Sequence, residues 1–147
     1  MEDRALGDTL LARMGGEYLE ATPERVVARL PVEGNTQPYG LLHGGATAVL
    51  CETAGSIGSA LAAGPGFHAM GIELNVNHLR AVRSGHITAT AVPLHVGRTT
   101  AVWEIKVRDD DGRLVAAARL TCVIRPARPP AGASGPGASE SPGGAAR

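Results

Sequence analysis

Residues 43–63 constrain the fold more than any other part of the chain. They read His43-Gly44-Gly45-Ala46-Thr47-Ala48-Val49-Leu50-Cys51-Glu52-Thr53-Ala54-Gly55-Ser56-Ile57-Gly58-Ser59-Ala60-Leu61-Ala62-Ala63, and Gly64-Pro65-Gly66 stops the run. The run is built almost wholly of small and apolar side chains, and with His43 counted as neutral, Glu52 alone is charged at neutral pH. The run reads as a long helix. An acidic side chain is almost never fully buried unless something pairs with it or uses it. Unpaired in an apolar site, it costs stability or has its pKa forced upward. The helix is also long enough to cross a bilayer. A central carboxylate and a scatter of Gly, Ser and Thr speak against lipid contact and for close packing on a sheet or a second helix.

The rest of the composition narrows the partners. The chain has 147 residues, enough for one domain and one core, with 14 Lys plus Arg against 14 Asp plus Glu. A balanced, dispersed charge gives no reason to expect nucleic acid or an acidic membrane surface. Met1-Glu2-Asp3-Arg4 does not open a signal peptide. Cys51 and Cys122 lie in apolar surroundings and read as buried, reduced thiols. Together these features point to a cytoplasmic protein. The five histidines show no paired metal-ligand spacing.

Around the long helix the pattern is mixed. Leu6, Leu10, Leu11 and Met14 form an amphipathic stripe over Asp3 to Met14, ended by Gly15-Gly16. Tyr18 to Thr22 and Arg25 to Val32 read as strands around a turn at Pro23-Glu24, and Glu33 to Gly40 as a loop. After the helix, strands are expected over His68–Leu79, His86–Val96, Thr99–Arg108 and Leu114–Ile124, with a hairpin turn at Asp109-Asp110-Asp111-Gly112. From Pro126 onward Pro, Ala, Gly and Ser leave almost nothing to bury. The expected organisation is an α+β domain over residues 1–125, a helix covering an antiparallel sheet of about six strands, and a disordered tail over 126–147.

Residues four apart share a helix face, so Gly44, Ala48, Glu52 and Ser56 form one stripe of small side chains around the carboxylate. His43-Gly44-Gly45 opens the helix. Unpaired N–H groups and the dipole there can hold an anion or a developing oxyanion; equally, the glycines can serve only tight packing. Gly44 and Glu52 are separated by about 12 Å along the axis, and the free N–H groups point away from Glu52. One helix therefore struggles to supply both halves of a site. Two copies, from two subunits, can place Gly44 of one beside Glu52 of the other.

Gln37-Pro38-Tyr39-Gly40-Leu41-Leu42-His43-Gly44-Gly45-Ala46, then Glu52, then Gly71-Ile72-Glu73-Leu74-Asn75-Val76-Asn77-His78, resembles the hotdog-fold acyl-CoA thioesterases. The nearest branch is the PaaI-like one, with the 4-hydroxybenzoyl-CoA thioesterase of Arthrobacter type, the 1,4-dihydroxy-2-naphthoyl-CoA thioesterase and the enterobactin proofreading thioesterase. The similarity runs from about Gln37 to Ile124. It implies a hotdog fold, homodimers with shared active sites, and usually tetramers. It implies that Glu52 attacks the thioester or activates water, that the Gly44 amide polarises the carbonyl, that Gln37 and His43 support the thioester and the helix start, and that Ser56 positions water. Gly71, His78 and Arg80, and His95, Gly97, Arg98 and Thr99 at a later turn, are the implied substrate and CoA contacts. Arg and backbone donors in loops suit phosphate.

The expected reaction is hydrolysis of an aryl or hydroxyaryl acyl-CoA, with no cofactor beyond the CoA of the substrate. Whether Glu52 is nucleophile or general base stays open. So do release of acyl groups from a carrier protein, which shares the phosphopantetheine arm, and non-catalytic acyl-CoA binding. No Gly-x-Ser-x-Gly elbow is present, and Cys51 points about 100° around the helix from Glu52. Tyr39 and Phe67 are the aromatic candidates for the acyl pocket.

Overall fold

The computed structural model describes residues 8–127. A single helical turn, α1 (Leu10–Arg13), is capped by Thr9 and followed by β1 (Glu17–Ala21), β2 (Val26–Pro31), the long helix α2 (Gly44–Ala63), β3 (Phe67–His78), β4 (His86–Val96), β5 (Thr100–Asp109) and β6 (Leu114–Pro126). The expected start of the first helix, with Leu6, lies outside the described residues. So does most of the expected tail. Its first residue, Pro126, is a correction: it pairs with Phe67 in the sheet, and Ala127 N–H donates to Gly66 O at 2.8 Å. Low side-chain bulk did not stop the backbone from extending the ladder.

The six strands form one antiparallel sheet in the order β1-β2-β4-β5-β6-β3. α2 packs across β2 to β6. Its buried residues, Thr47, Leu50, Cys51, Ala54, Gly55, Gly58 and Ser59 among them, recur with helical spacing and face the sheet. Among the described residues α2 is the one helix long and apolar enough to cross a membrane, and here the sheet covers one face of it.

Two glycines let the helix sit close. A Cβ on Gly58 would come 2.5 Å from the Trp103 ring, and one on Gly55 would come 2.6 Å from Leu120. Trp103 is fully buried with Leu30, Leu50, Ile87, Ile105 and Leu120. Among the described residues its indole N–H has no hydrogen-bond partner. That loss costs about 1–3 kcal/mol. Burying about 150–250 Å² of ring returns roughly 4–6 kcal/mol, so packing wins.

At one edge of the sheet, β3 is paired only to β6, and it exposes Phe67, Met70 and Ile72. At the β5–β6 turn Gly112 takes φ 77° and its N–H donates to Asp109 O at 2.9 Å, as the Asp-Asp-Asp-Gly sequence predicts.

Candidate active site

His43 caps α2 from an extended backbone, its Nδ1 accepting from the Gly45 N–H at 2.8 Å. The neutral ring then carries its proton on Nε2. The preceding loop is strapped down: His43 N–H donates to Asn35 O at 2.8 Å, and Asn35 Nδ2 donates to the carbonyls of Met14 and Pro31 at 2.8 and 2.9 Å. Within it, Gln37 N–H donates to Leu41 O at 2.8 Å and Gly40 N–H returns to Gln37 O at 3.0 Å. This turn carries Gln37 to the start of α2. There it lines a cleft of about 350 Å³ with Gly44, Thr47, His78 and Arg80. Gly44 lacks a side chain where one would meet a neighbour, since a Cβ would come 3.1 Å from His78 Nε2. The cleft therefore brings an imidazole, an amide and a guanidinium to the positive end of the helix. There the Gly45 N–H is taken by His43 Nδ1 and the Ala46 and Thr47 N–H groups by His43 O, so among the described residues the Gly44 N–H is the first-turn donor left to hold a polarised oxygen.

Glu52 lies two turns further along. Its carboxylate rests against the bare Cα of Gly71 on β3, where a Cβ would overlap Oε1. A bulge between Gly71 and Glu73 breaks the β3–β6 register at this point. Glu52 lines a second cleft of about 260 Å³ with Leu10, Leu11, Tyr18, Ser56 and Ile57. Burial pushes its carboxyl pKa up, and the Ser56 hydroxyl acts the other way by favouring the ionised form. Burial likewise pushes up the Tyr18 phenol. A partly desolvated carboxylate beside one hydroxyl is suited to proton abstraction or to attack on carbon. Cys51, by contrast, is fully buried and its thiol is pushed up to about 12, so it is inert as a nucleophile.

A matching family model describes residues 39–116 as Thioesterase superfamily, more than half of the chain. The chain belongs to the thioesterase superfamily. It is 40% identical to a 1,4-dihydroxy-2-naphthoyl-CoA hydrolase of Escherichia coli over 80% of its own length and 82% of the relative. Relatives at 44–48% identity are named only provisionally, as esterases. A crystal structure of a Haemophilus influenzae thioesterase superposes with a TM-score of 0.79 at 36% identity, covering 82% of this chain and 85% of that one. A Staphylococcus aureus thioesterase, at 38% identity, matches with a TM-score of 0.77 over 80% of this chain and 98% of its own. It has been crystallised with a glutamine replaced by alanine, and also with a glutamate replaced fifteen positions later. The helix-wrapped antiparallel sheet is the hotdog fold, and the protein is a thioester hydrolase.

The thioesterase does not gather all the expected residues in one place. Gln37, Gly44, His78 and Arg80 share the first cleft; Glu52 and Ser56 share the second, with Gly71 against the carboxylate. The two clefts have no lining residue in common. His95, Gly97, Arg98 and Thr99 line neither. Gly97, Arg98 and Thr99 form the β4–β5 turn, with His95 near the end of β4; Gly97 N–H donates to Thr100 O and Ile124 N–H to Thr99 O, both at 2.8 Å, and the His95 ring packs on Gly97. Register places this turn level with Met70 and Gly71, whereas His78 lies at the far end of β3. At about 3.3 Å per residue the two sets are roughly 23 Å apart along the strands.

Sequence reasoning missed the apolar wall of the Glu52 cleft. Tyr39 is 80% exposed and Phe67 43% exposed, and neither lines a cleft with Glu52. The aromatic there is Tyr18, brought in by β1 from a distance no local pattern reports. Ile57, five residues beyond Glu52 on the same helix, carried a usable signal: after Leu50 it is the next large apolar side chain in α2.

Proposed function

We propose that this thioesterase hydrolyses an aryl or hydroxyaryl acyl-CoA to the free acid and CoA, in a homodimer with two shared sites. Glu52 delivers the attack, either directly on the thioester carbon or by taking a proton from water. The Gly44 N–H at the start of the partner's α2 holds the carbonyl oxygen as it gains charge. The observation that carries the reading is the pair of half-sites: the start of α2 and a partly desolvated carboxylate, which line separate clefts of one protomer.

β3 supplies the means to join them. It is a twelve-residue edge strand with Met70 46% and Ile72 61% exposed. A long, exposed, apolar edge is a template for pairing with another chain. Pairing two copies through β3 extends the sheet and brings Gly71 and His78 of one subunit next to the other subunit's strand. It also offers the separated Arg80 and Arg98 to one CoA from different subunits, which suits its several phosphates. Two likenesses support the chemistry. The fifteen-residue separation of Gln37 and Glu52 equals that of the residues replaced in the S. aureus thioesterase. The mostly apolar lining of the Glu52 cleft, with Tyr18 at its wall, suits an aromatic acyl group, and the E. coli relative is named for a dihydroxynaphthoyl-CoA. No resident cofactor enters, since CoA arrives as part of the substrate.

The test is a panel of aryl, hydroxyaryl and aliphatic acyl-CoA thioesters and acyl-carrier thioesters, assayed with wild type and Glu52→Ala. Aryl and hydroxyaryl CoA thioesters should be the best substrates. The variant should fold, bind CoA and lose about 10²–10⁴-fold in kcat. Near-normal turnover by Glu52→Ala sinks the mechanism. A fully active monomer sinks the shared site, and faster release from a carrier moves the substrate class to carrier thioesters.

A further inference from the structure

Cys122 lies directly beneath the Glu52 site. It is fully buried on β6, in register with Gly71 of β3 on one side and Ala101 of β5 on the other. Gly71 is the residue on which the Glu52 carboxylate rests. Over the thiol, α2 presents two hydroxyls. Ser56 Oγ is 3.9 Å from Cys122 Sγ. The fully buried Ser59 hydroxyl is also beside it but makes no well-formed hydrogen bond. Ser56 is the same hydroxyl that favours the ionised form of Glu52.

A serine hydroxyl has one proton to give and two lone pairs to accept with. The reactive form of Glu52 is an acceptor only, so the Ser56 proton is best spent on it. Ser56 Oγ then needs a donor on its other side. Burial pushes the pKa of this thiol up, the Ser59 and Ser56 hydroxyls act the other way, and the nearby Glu52 charge pushes it up again; the net direction is upward, so the thiol keeps its proton at neutral pH. It therefore has a proton to offer. We propose that Cys122 is a positioning residue for the hydrolysis, its S–H donating to Ser56 Oγ so that the Ser56 O–H points at the Glu52 carboxylate. The inference rests on Glu52 being the reacting carboxylate. Its rival is simple packing, with Cys122 acting as a small hydrophobe under the helix.

The two differ in what a substitution moves. Cys122→Ala and Cys122→Val remove the donor; Cys122→Ser keeps one. If the thiol orients Ser56, Ala and Val should lower kcat about two- to fivefold, the size of effect a weak sulfur donor can supply, with KM unchanged. They should also move the acid limb of the pH profile upward, because Ser56 would no longer be held toward the ionised carboxylate. Tyr18 from β1 is the other titratable group at this cleft, and its phenol, already pushed above 10.0, titrates far from that limb. Cys122→Ser should retain both rate and limb. In a Ser56→Ala background, Cys122→Ala should have no further effect.

Additive losses, an unmoved limb, or a Cys122→Ser variant no better than Cys122→Val would each leave packing as the whole role and overturn the proposal. A readout that needs none of the Cys122 variants to fold is the infrared S–H stretch of Cys122, recorded in a Cys51→Ala background. Ser56→Ala should shift that band to the frequency of a free thiol, and an unchanged band overturns the proposal. Glu52→Gln separates the two levels. If that variant is active, the underlying site assignment has failed. If it is inactive while the Cys122 variants are silent, only the positioning role has.

Discussion

The two flanks of α2 use glycine against a bulky neighbour in the same way, and for opposite ends. On the buried face, Gly58 makes room for the Trp103 ring and Gly55 for Leu120. On the site face, it is Gly71 of β3 that makes room for the Glu52 carboxylate, while Gly44 leaves space for His78. The difference is in the neighbour. Trp103 is locked among fully buried side chains and cannot swing away. Glu52 is the far end of a flexible side chain at an open cleft, so it can. One added methyl should therefore break folding on one face and aim on the other.

Gly71→Ala should give the largest effect. The new Cβ occupies the place of Oε1, and the carboxylate rotates away instead of the strand. A displacement of about 1 Å at a reacting group costs on the order of 10²-fold in rate. Steady-state kinetics should show that fall in kcat/KM, with a thermal melt close to wild type. A fully active Gly71→Ala would mean that Glu52 works from a different rotamer. Gly58→Ala should do the reverse. Overpacking against an indole that cannot move costs roughly 1–3 kcal/mol. A urea titration should show the lower midpoint, while the turnover of each folded molecule stays near normal. If activity fell and stability did not, the helix would be sliding along the sheet to relieve the clash, and the two faces would not be independent.

That independence explains what was legible in the sequence. The run at 43–63 announced both the helix and its odd carboxylate, because small residues and a lone charge are visible one residue at a time. Alternation in stretches such as Val102-Trp103-Glu104-Ile105-Lys106-Val107 located the strands to within a residue or two, and the Asp-Asp-Asp-Gly turn located a hairpin. Sheet order was not legible. β3 is third in the chain yet lies at the edge beyond β6, a placement set by which faces bury against α2. For the same reason Gly71, expected only as a substrate contact, is the residue on which the Glu52 carboxylate rests from nineteen residues away on another element, Tyr18 was not foreseen, and Cys122 read only as a buried thiol. The tail boundary failed for a different cause. Composition measures what can be buried, and at Pro126 the ladder continues with little side-chain burial at all.

The smallest effect concerns stability at the site itself, and its sign is opposite to that of Gly58→Ala. Burial raises the Glu52 pKa in the folded protein above its ordinary value of 4.5. The folded state then holds that proton more tightly than the unfolded chain does, so stability falls as pH rises from the unfolded pKa through the folded one, and stays reduced above it. At neutral pH the wild type carries this cost and Glu52→Gln does not. The variant should melt higher at pH 7, by no more than about 3 °C given that the carboxylate is only partly buried. The gap should close as pH drops below 4.5, where both states of the wild type hold the proton. Ser56→Ala in the otherwise native chain should widen it, because the hydroxyl that favours the ionised form is gone. Differential scanning calorimetry of the three proteins at several pH values decides the matter. If Glu52→Gln melts lower than wild type at pH 7, the carboxylate makes contacts that outweigh its desolvation, and the contrast between a face built for packing and a face built for chemistry weakens.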